Sequence, residues 1–535
     1  MMLPNRRKFL EILTKGTVSA SLLPYTVSGY TSTQVSSKKV KGIAPSSEDT
    51  LVLAEDLDYN LLIQWGDSIN EQDTFGFNND FIAFIPNQEK ADEGILWVIH
   101  EYINSMMIHQ EAVTEKTQEQ IEKEMYAVGG SLVRVKKENG QWTVVPHADN
   151  QRITGLTEIP FNWATPIEGK QAAMGTLGNC AGGVTPWGTV LTCEENYQFF
   201  YSDRRSSDRS STDRSMIPSV EGWEKFYANP PEHYGWVVEV APATGAAQKH
   251  VALGRCAHAC ATVKELEDGR LVVYTGDDKN DEHLYKFISS QPESLREGTL
   301  YVANLDVGKW IPVDVEQQPL LMDQFKTQTE ALVYLRESAK ILGATPLDRP
   351  EDIEIAPVSG DVLVALTNNI PQENYFGSIL KIEEENGDHA SLTFKATTYL
   401  TGGEDTGFAS PDNMVFDRAG NLWFTSDISG SKMNQPPYSA FKNNGLFLVM
   451  RDGPQAGEVI QMASAPVDAE FTGPCFSPDG KTLFLSVQLS VQHPGEQSTS
   501  METLTSHWPG EPGSIPRSAV VTIQGPLLQQ IQQLS

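Results

Sequence analysis

A chain of 535 residues and 59.0 kDa exceeds one ordinary hydrophobic core, so it is built either as several domains or as one repetitive architecture. Its net charge of −30, from 70 acidic and 40 basic residues, argues against a nucleic-acid or anionic-membrane partner, because phosphate surfaces attract basic proteins. An acidic protein that handles an anionic substrate needs metal ions or a few placed arginines to reverse the local field.

The first residues include Asn5-Arg6-Arg7-Lys8-Phe9-Leu10, followed by a small-residue apolar stretch too short to span a membrane stably. Residues 1–32 are expected to be a twin-arginine export signal and leader, with the export machinery as partner and a periplasmic or secreted destination. Its removal would take the charge to −33. Residues 33–50 are Ser/Thr/Lys-rich and read as a flexible segment. Five cysteines (Cys180, Cys193, Cys256, Cys260, Cys475) leave at least one outside any intramolecular disulfide. Cys256 and Cys260 are compatible with a local bridge, a metal pair or two core thiols. No C-x2-C, H-E-x-x-H, G-x-S-x-G, Walker or G-x-G-x-x-G motif occurs, so zinc-protease, serine-hydrolase and nucleotide-binding readings lack their signatures.

From residue 51 onward a unit recurs: a polar turn, a strand, a glycine bend, then a β-rich run closing on an acid or amide. Six copies run Gly94 to Glu101, Gly188 to Glu195, Gly269 to Asp278, Gly360 to Asn369, Gly420 to Asp427 and Gly480 to Gln488. Cys180, Asp352, Asp412 and Thr472 each lie eight residues before the bend glycine. Equivalent hairpins would bring these side chains to one end of the molecule, beside the acids that close the outgoing strands. The expected fold is all-β, a six-bladed β-propeller over residues 51–535 with long loop and helical insertions, complete as a monomer and with a channel mouth for ligands. Two β-sandwiches would leave the shared register unexplained. Among the insertions, Glu115 to Glu124 and Met322 to Leu342 carry helical patterns, and Tyr201 to Ser219 is a Ser/Asp/Arg-rich loop.

Several segments carry more polar groups than turns require. Asp348-Arg349-Pro350-Glu351-Asp352-Ile353-Glu354 sets carboxylates beside an arginine, a pattern suited to a hard cation that collects oxygens, with Arg349 free to clamp a phosphate or carboxylate. Ser410-Pro411-Asp412-Asn413 with Asp427, the pair Asp277-Asp278, and Glu470 ahead of a sharp bend are further candidates, as is His258 at the approach to the third unit. Cys180 with Glu194 and Glu195 joins a soft thiolate to hard carboxylates, which suggests a mixed metal site.

The run Asn179-Cys180-Ala-Gly-Gly-Val-Thr-Pro-Trp-Gly-Thr-Val-Leu-Thr-Cys-Glu-Glu-Asn196 resembles the signature of PhoX-type alkaline phosphatases. In the same order along the chain stand Leu253-Gly-Arg255 with His258, Val273-Tyr-Thr-Gly-Asp-Asp278, Gly298-Thr-Leu-Tyr-Val-Ala303, Arg349-Pro-Glu-Asp-Ile-Glu354, Ala365-Leu-Thr-Asn-Asn369, Ser410-Pro-Asp-Asn413 and Gln492-His-Pro-Gly-Glu496. The resemblance implies a periplasmic propeller whose channel mouth holds Fe3+ and Ca2+ ions joined by an oxo bridge and which releases inorganic phosphate from small phosphomonoesters. Motif by motif it implies Cys180 as an iron ligand, Glu351 as a cluster carboxylate and Arg349 as the phosphate contact. Glu194, Glu195, Asp277, Asp278, Asp352, Asp412 and Asp427 are then candidate ligands of one ion or another.

Two departures stand out. Family members carry His-Glu, the glutamate a metal ligand, where this chain has His258-Ala259. His258, Cys256 or Cys260 would then have to compensate, or the cluster is altered. The family's basic, glycine-rich stretch after the Asn-Asn strand end is here Ile370-Pro-Gln-Glu-Asn-Tyr-Phe-Gly377. The competing functions are a calcium-dependent propeller hydrolase of other specificity, such as a lactonase or phosphodiesterase, and a non-catalytic calcium-stabilised propeller.

Overall fold

The second strand of every repeat is a continuous apolar run, and such a run is stable only where both faces are covered. The computed structural model, which describes residues 39–113, 115–204, 215–489 and 504–534, covers them by setting six antiparallel sheets around a ring. Val190–Glu194, Leu271–Gly276, Val362–Leu366, Leu422–Ser426 and Leu483–Leu489 are buried along their whole length. Blade one begins with Asn79–Pro86 and Glu93–His100, and blade two with Asn179–Val184 and Val190–Glu194. Blades three to six follow from Thr262–Glu265, Pro350–Ile355, Pro411–Phe416 and Ala469–Phe476, each paired with the buried run that comes next in the chain. First strands of successive blades touch in chain order, and blade six touches blade one.

The ring is closed by the N-terminal part of the chain. Asp58–Gln64 pairs antiparallel with Ala519–Gln524 as the outer strand of blade six, and Val52–Leu53 pairs with the last strand of blade five. Strands 58–64 and 519–524 thus lie in one sheet although they stand at opposite ends of the sequence. The compact unit starts at Val40, so the expected flexible segment is corrected from there on. Val40 is buried with its N–H on Gln455 Oε1 (2.7 Å), and the Ile43 N–H donates to the Gln461 carbonyl (2.9 Å). The export signal, the tract 205–214 and the Gln492-to-Glu496 motif lie outside the described residues.

The insertions differ in detail from their sequence patterns. The charged helix runs Gln118–Ala127, because Thr117 and Gln120 form a capping box that sets its start. The pattern over Met322 to Leu342 breaks into Pro319–Met322, Gln328–Val333 and Leu335–Ile341. Thr327 accepts the Glu330 N–H and restarts the helix, while Phe325, Leu332, Leu335 and Ala339 pack into the blade-three core. All five cysteines are free thiols, and no helix of the described residues is long and apolar enough to cross a membrane.

Blade two carries a buried polar clamp. Glu239 accepts from Trp187 Nε1 (2.8 Å), Thr189 Oγ1 (2.6 Å) and Gln248 Nε2 (2.8 Å) and contacts His250 Nε2 (2.8 Å). Burial alone would raise its pKa, but His250 and the donors hold it down to about 2. The stability this ionised carboxylate contributes is therefore present above the usual glutamate pKa of about 4.3 and is lost as pH falls through about 2. Glu239→Gln is expected to cost ~2 kcal/mol at pH 7 in chemical denaturation, with the gap to wild type narrowing below pH ~4; a gap independent of pH would contradict the clamp.

Candidate metal centre

One backbone device, repeated from blade to blade, builds the channel mouth. In five blades the residue just ahead of the first strand, or in blade three just ahead of the His258–Asp277 bridge, accepts through its carbonyl the N–H of a residue that follows the second strand. The pairs are Asn78 with Glu101 (3.1 Å), Gly178 with Glu195 (2.8 Å), Ala257 with Asp278 (2.9 Å), Arg349 with Thr367 (3.1 Å) and Ser410 with Asp427 (2.8 Å). Four of the acceptors are in the left-handed region: Asn78, Gly178, Arg349 and Ser410 have φ of 51°, 59°, 59° and 51°. For Arg349 this conformation costs about 1 kcal/mol, a strain of the kind that concentrates at functional sites.

A register shift follows immediately, between Asn79 and Ile82, Asn179 and Gly182, Pro350 and Ile353, Pro411 and Met414, and Thr472 and Cys475. In blade three the His258–Asp277 bridge precedes the Thr262–Tyr274 pair in the same way. A bulge re-aims the side chain it carries. The six equivalent bulge positions are Asp80, Cys180, Ala259, Glu351, Asp412 and Gly473. This corrects the eight-residue count in two blades: the residue matching Cys180 is Glu351 in blade four, not Asp352, and Gly473 in blade six, not Thr472, because their turns differ in length by one residue.

Cys180, Glu195 and Glu351 come together, with one ligand atom of each within 4.8 Å of the others. Cys180 Sγ lies 3.5 Å from Glu351 Oε1. Around this trio the electrostatic couplings link the buried Asp80, Glu101, Asp278 and Asp412 and the half-buried Asp427 and Glu470 into one acidic cluster. Two cations face it. Arg349 Nη2 donates to Asp278 Oδ2 (2.6 Å) and Glu351 Oε2 (3.1 Å), with Nη1 3.7 Å from Asp427, and Lys279 Nζ reaches Glu195 Oε1 (3.1 Å). Eight carboxylates and a thiol against two cations cannot all be ionised in a buried site.

The ionisation pattern reflects this imbalance. Burial, with the Asp278 charge, pushes Glu351 well above the usual carboxylate range, and burial with neighbouring acids does the same to Asp80, Glu195, Asp412 and Glu470. Burial pushes Glu101 up to about 7 and, reinforced by Asp80 and Glu195, raises the Cys180 thiol strongly. Asp278 goes the other way: burial opposes its charge, but Arg349 and Lys279 hold it low. Asp80 Oδ1, Asp278 Oδ1 and Asp427 Oδ1 are buried with no hydrogen-bond partner among the described residues. Orphaned oxygens around a thiol–carboxylate trio are what a cation would satisfy.

Other expected ligands are occupied elsewhere. Glu194 pairs with buried Lys249 (2.6 Å) and accepts the Trp236 N–H. Asp277 is clamped by Arg336 Nε (2.6 Å) and Nη2 (2.5 Å). His258 is held between Thr275 Oγ1 (2.8 Å) and the Gly254 carbonyl (2.9 Å), and burial lowers it to about 4, a neutral core histidine. Asp352 accepts the Met414 N–H (2.7 Å) of blade five. The Cys260 thiol points at the Glu351 carbonyl (3.3 Å), and Cys256 sits in the blade-three core. None of His258, Cys256 and Cys260 stands in for the donor absent at Ala259. Asp80, Glu101 and Lys279 were not among the expected ligands. Glu101 closes a recognised repeat; Asp80 is hidden because Gly94 lies within a strand, opposite Pro86, rather than at the bend.

Cation binding to such a cluster must displace protons. Calorimetric titration of chelator-stripped protein with Fe3+ or Ca2+ at pH 7, in two buffers of different ionisation enthalpy, is expected to show release of about one proton or more per ion; uptake or no exchange would contradict the raised carboxylates.

Residues 38–495 match the family described as alkaline phosphatase PhoX. The Pseudomonas fluorescens PhoX structure in complex with vanadate, a transition state analogue, aligns with a TM-score of 0.80 and 29% identity, covering 91% of this chain and 98% of that one. A Dyadobacter fermentans protein of unknown function aligns with a TM-score of 0.41 at 10% identity, over 88% and 100% of the two chains. A Xanthomonas campestris gluconolactonase aligns with 0.35 at 11%, over 90% and 100%. The last two are too remote to bear on chemistry. No curated protein matches the chain.

Proposed function

The chain belongs to the PhoX family of alkaline phosphatases, and from that premise we propose that its metal-dependent hydrolysis of phosphomonoesters takes place at the channel mouth, with iron and calcium as the metals. The observation that carries the placement is the trio Cys180, Glu195 and Glu351 with Arg349 bridging Asp278 and Glu351. Cys180 is the one soft donor and suits iron. Asp80, Glu101, Asp278, Asp412, Asp427 and Glu470 supply the oxygens that calcium prefers. When bound, the cations supply Lewis acidity and charge neutralisation at the phosphoryl group.

The protein's own residues do the rest. Arg349 presents a planar guanidinium that holds two phosphoryl oxygens in fixed orientation, and its fixed charge stabilises the oxygens as negative charge redistributes during in-line displacement. Its own pKa stays well above the ordinary value despite burial, because Asp278, Glu351 and Asp427 surround it, so it remains charged at alkaline pH. Thr367 Oγ1 donates to Glu351 Oε2 (3.1 Å) and fixes the carboxylate that Arg349 also grips. The Asn5-to-Leu10 pattern supports export to the periplasm or beyond, and the closed ring, which turns the inner edge strand of each sheet toward the channel, supports a monomer.

The test is turnover of p-nitrophenyl phosphate by metal-loaded protein, with iron and calcium quantified. Arg349→Ala is expected to lower kcat/KM ~100-fold, and Arg349→Lys to recover less than a tenth of that loss because an ammonium cannot bind bidentately. Metal-loaded wild type without turnover would overturn the reading.

A further inference from the structure

Blade three differs from blades two and four on either side of it, which carry Cys180 and Glu351 at the bulge. Its bulge residue is Ala259, with no donor atom, yet the turn leaving its second strand delivers a cation, Lys279, directly after Asp278. The ammonium is anchored from one side: Nζ donates to Asn196 Oδ1 (2.9 Å) and to Glu195 Oε1 (3.1 Å). Asn196 is itself fixed, its Nδ2 donating to Tyr102 Oη (2.5 Å) and Glu101 Oε1 (3.4 Å). An ammonium has three N–H donors, and among the described residues Nζ meets these two acceptors only. The Lys279 side chain is 34% exposed and that of Arg349 24%, whereas the Glu195 carboxylate beneath is 3% exposed. The two cations are therefore more accessible than the Glu195 carboxylate, and Asp278, bonded to Arg349 (2.6 Å), has its charge coupled to both.

We propose that Lys279 is a second substrate-binding cation, which donates its remaining N–H to a phosphoryl oxygen opposite the Arg349 fork and supplies positive charge on a blade whose bulge residue, Ala259, offers no metal-binding side chain. This deepens the phosphatase reading and rests on it for the location of the phosphoryl group. A cation drawn to Glu195 leaves Lys279 still held by Asn196, so the ammonium does not depend on Glu195 for its position. The contact adds a charge-assisted hydrogen bond that lysine can make and an uncharged isostere cannot.

The experiment uses metal-loaded full chain and inorganic phosphate as the probe. Phosphate affinity is measured by calorimetry, and KM and kcat with p-nitrophenyl phosphate, for wild type, Lys279→Met, Lys279→Arg and the exposed control Lys340→Met. Lys279→Met is expected to weaken phosphate binding and raise KM by about tenfold, with kcat within about threefold and metal content unchanged. Lys279→Arg should recover most of the affinity, and Lys340→Met should match wild type. Unchanged phosphate affinity in Lys279→Met overturns the proposal, as does a loss that tracks loss of metal, which would make Lys279 a support for the cluster. Wild type that binds phosphate without turnover overturns the phosphatase reading alone, and the affinity comparison still decides the role of Lys279.

Discussion

The channel mouth is organised by an excess of acidic groups over the cations that face them. Asp80, Glu101, Glu195, Asp278, Glu351, Asp412, Asp427 and Glu470 converge with Cys180 on a space that Arg349 and Lys279 cannot neutralise. A fold that existed for stability alone would replace such a cluster with apolar residues, since uncompensated buried charge costs several kcal/mol per group. Its persistence is explained if cations complete it. The propeller provides what that requires, a closed ring in which each inner strand is held against a second strand buried along its whole length, which limits how far the acids can relax away from one another.

The way the acids are delivered is as informative as their number. In five blades the approach residue closes a hydrogen bond to the residue leaving the neighbouring strand, and the bulge that follows re-aims whatever side chain it carries. The device is made of backbone, so the side chain at the bulge is free to vary: aspartate, cysteine, alanine, glutamate, aspartate and glycine occupy the six positions. Ligand identity is thereby uncoupled from fold stability. Glycine at 473 also has a steric reason, because a Cβ there would lie 2.5 Å from the Ile82 nitrogen of blade one.

Much of this arrangement was legible in the sequence. The bend glycines Gly188, Gly269, Gly360, Gly420 and Gly480 all have φ between 69° and 82°, a conformation that favours glycine, and this is why counting from them found the blades. The same count placed Cys180 and Asp412 correctly. It slipped by one residue at Asp352 and Thr472 because a hairpin turn can gain or lose a residue without disturbing the ladder beyond it. It missed Asp80 because blade one turns through 87–92, so its glycine is not the bend. Adjacency to Glu195 and Asp278 points to Glu194 and Asp277 as ligands, and position at the entry to its blade points to His258. In a strand, neighbours face opposite sides, so of each acidic pair one member reaches the channel and the other finds Lys249 or Arg336. Lys279 and Arg336 carried no local signal, since their partners are distant in sequence.

The ring also relates this chain to its family. The donor absent at Ala259 is not replaced by a nearby histidine or cysteine, so under the proposed function an ion at Cys180, Glu195 and Glu351 is held without a ligand from the Ala259 position. Diffraction from metal-loaded crystals on either side of the iron absorption edge measures this directly. The account predicts an anomalous iron peak bonded to Cys180 Sγ and to the carboxylates of Glu195 and Glu351, with no protein ligand from the Ala259 side. A metal-loaded crystal with no peak there, and Cys180 Sγ still resting against Glu351, would contradict it.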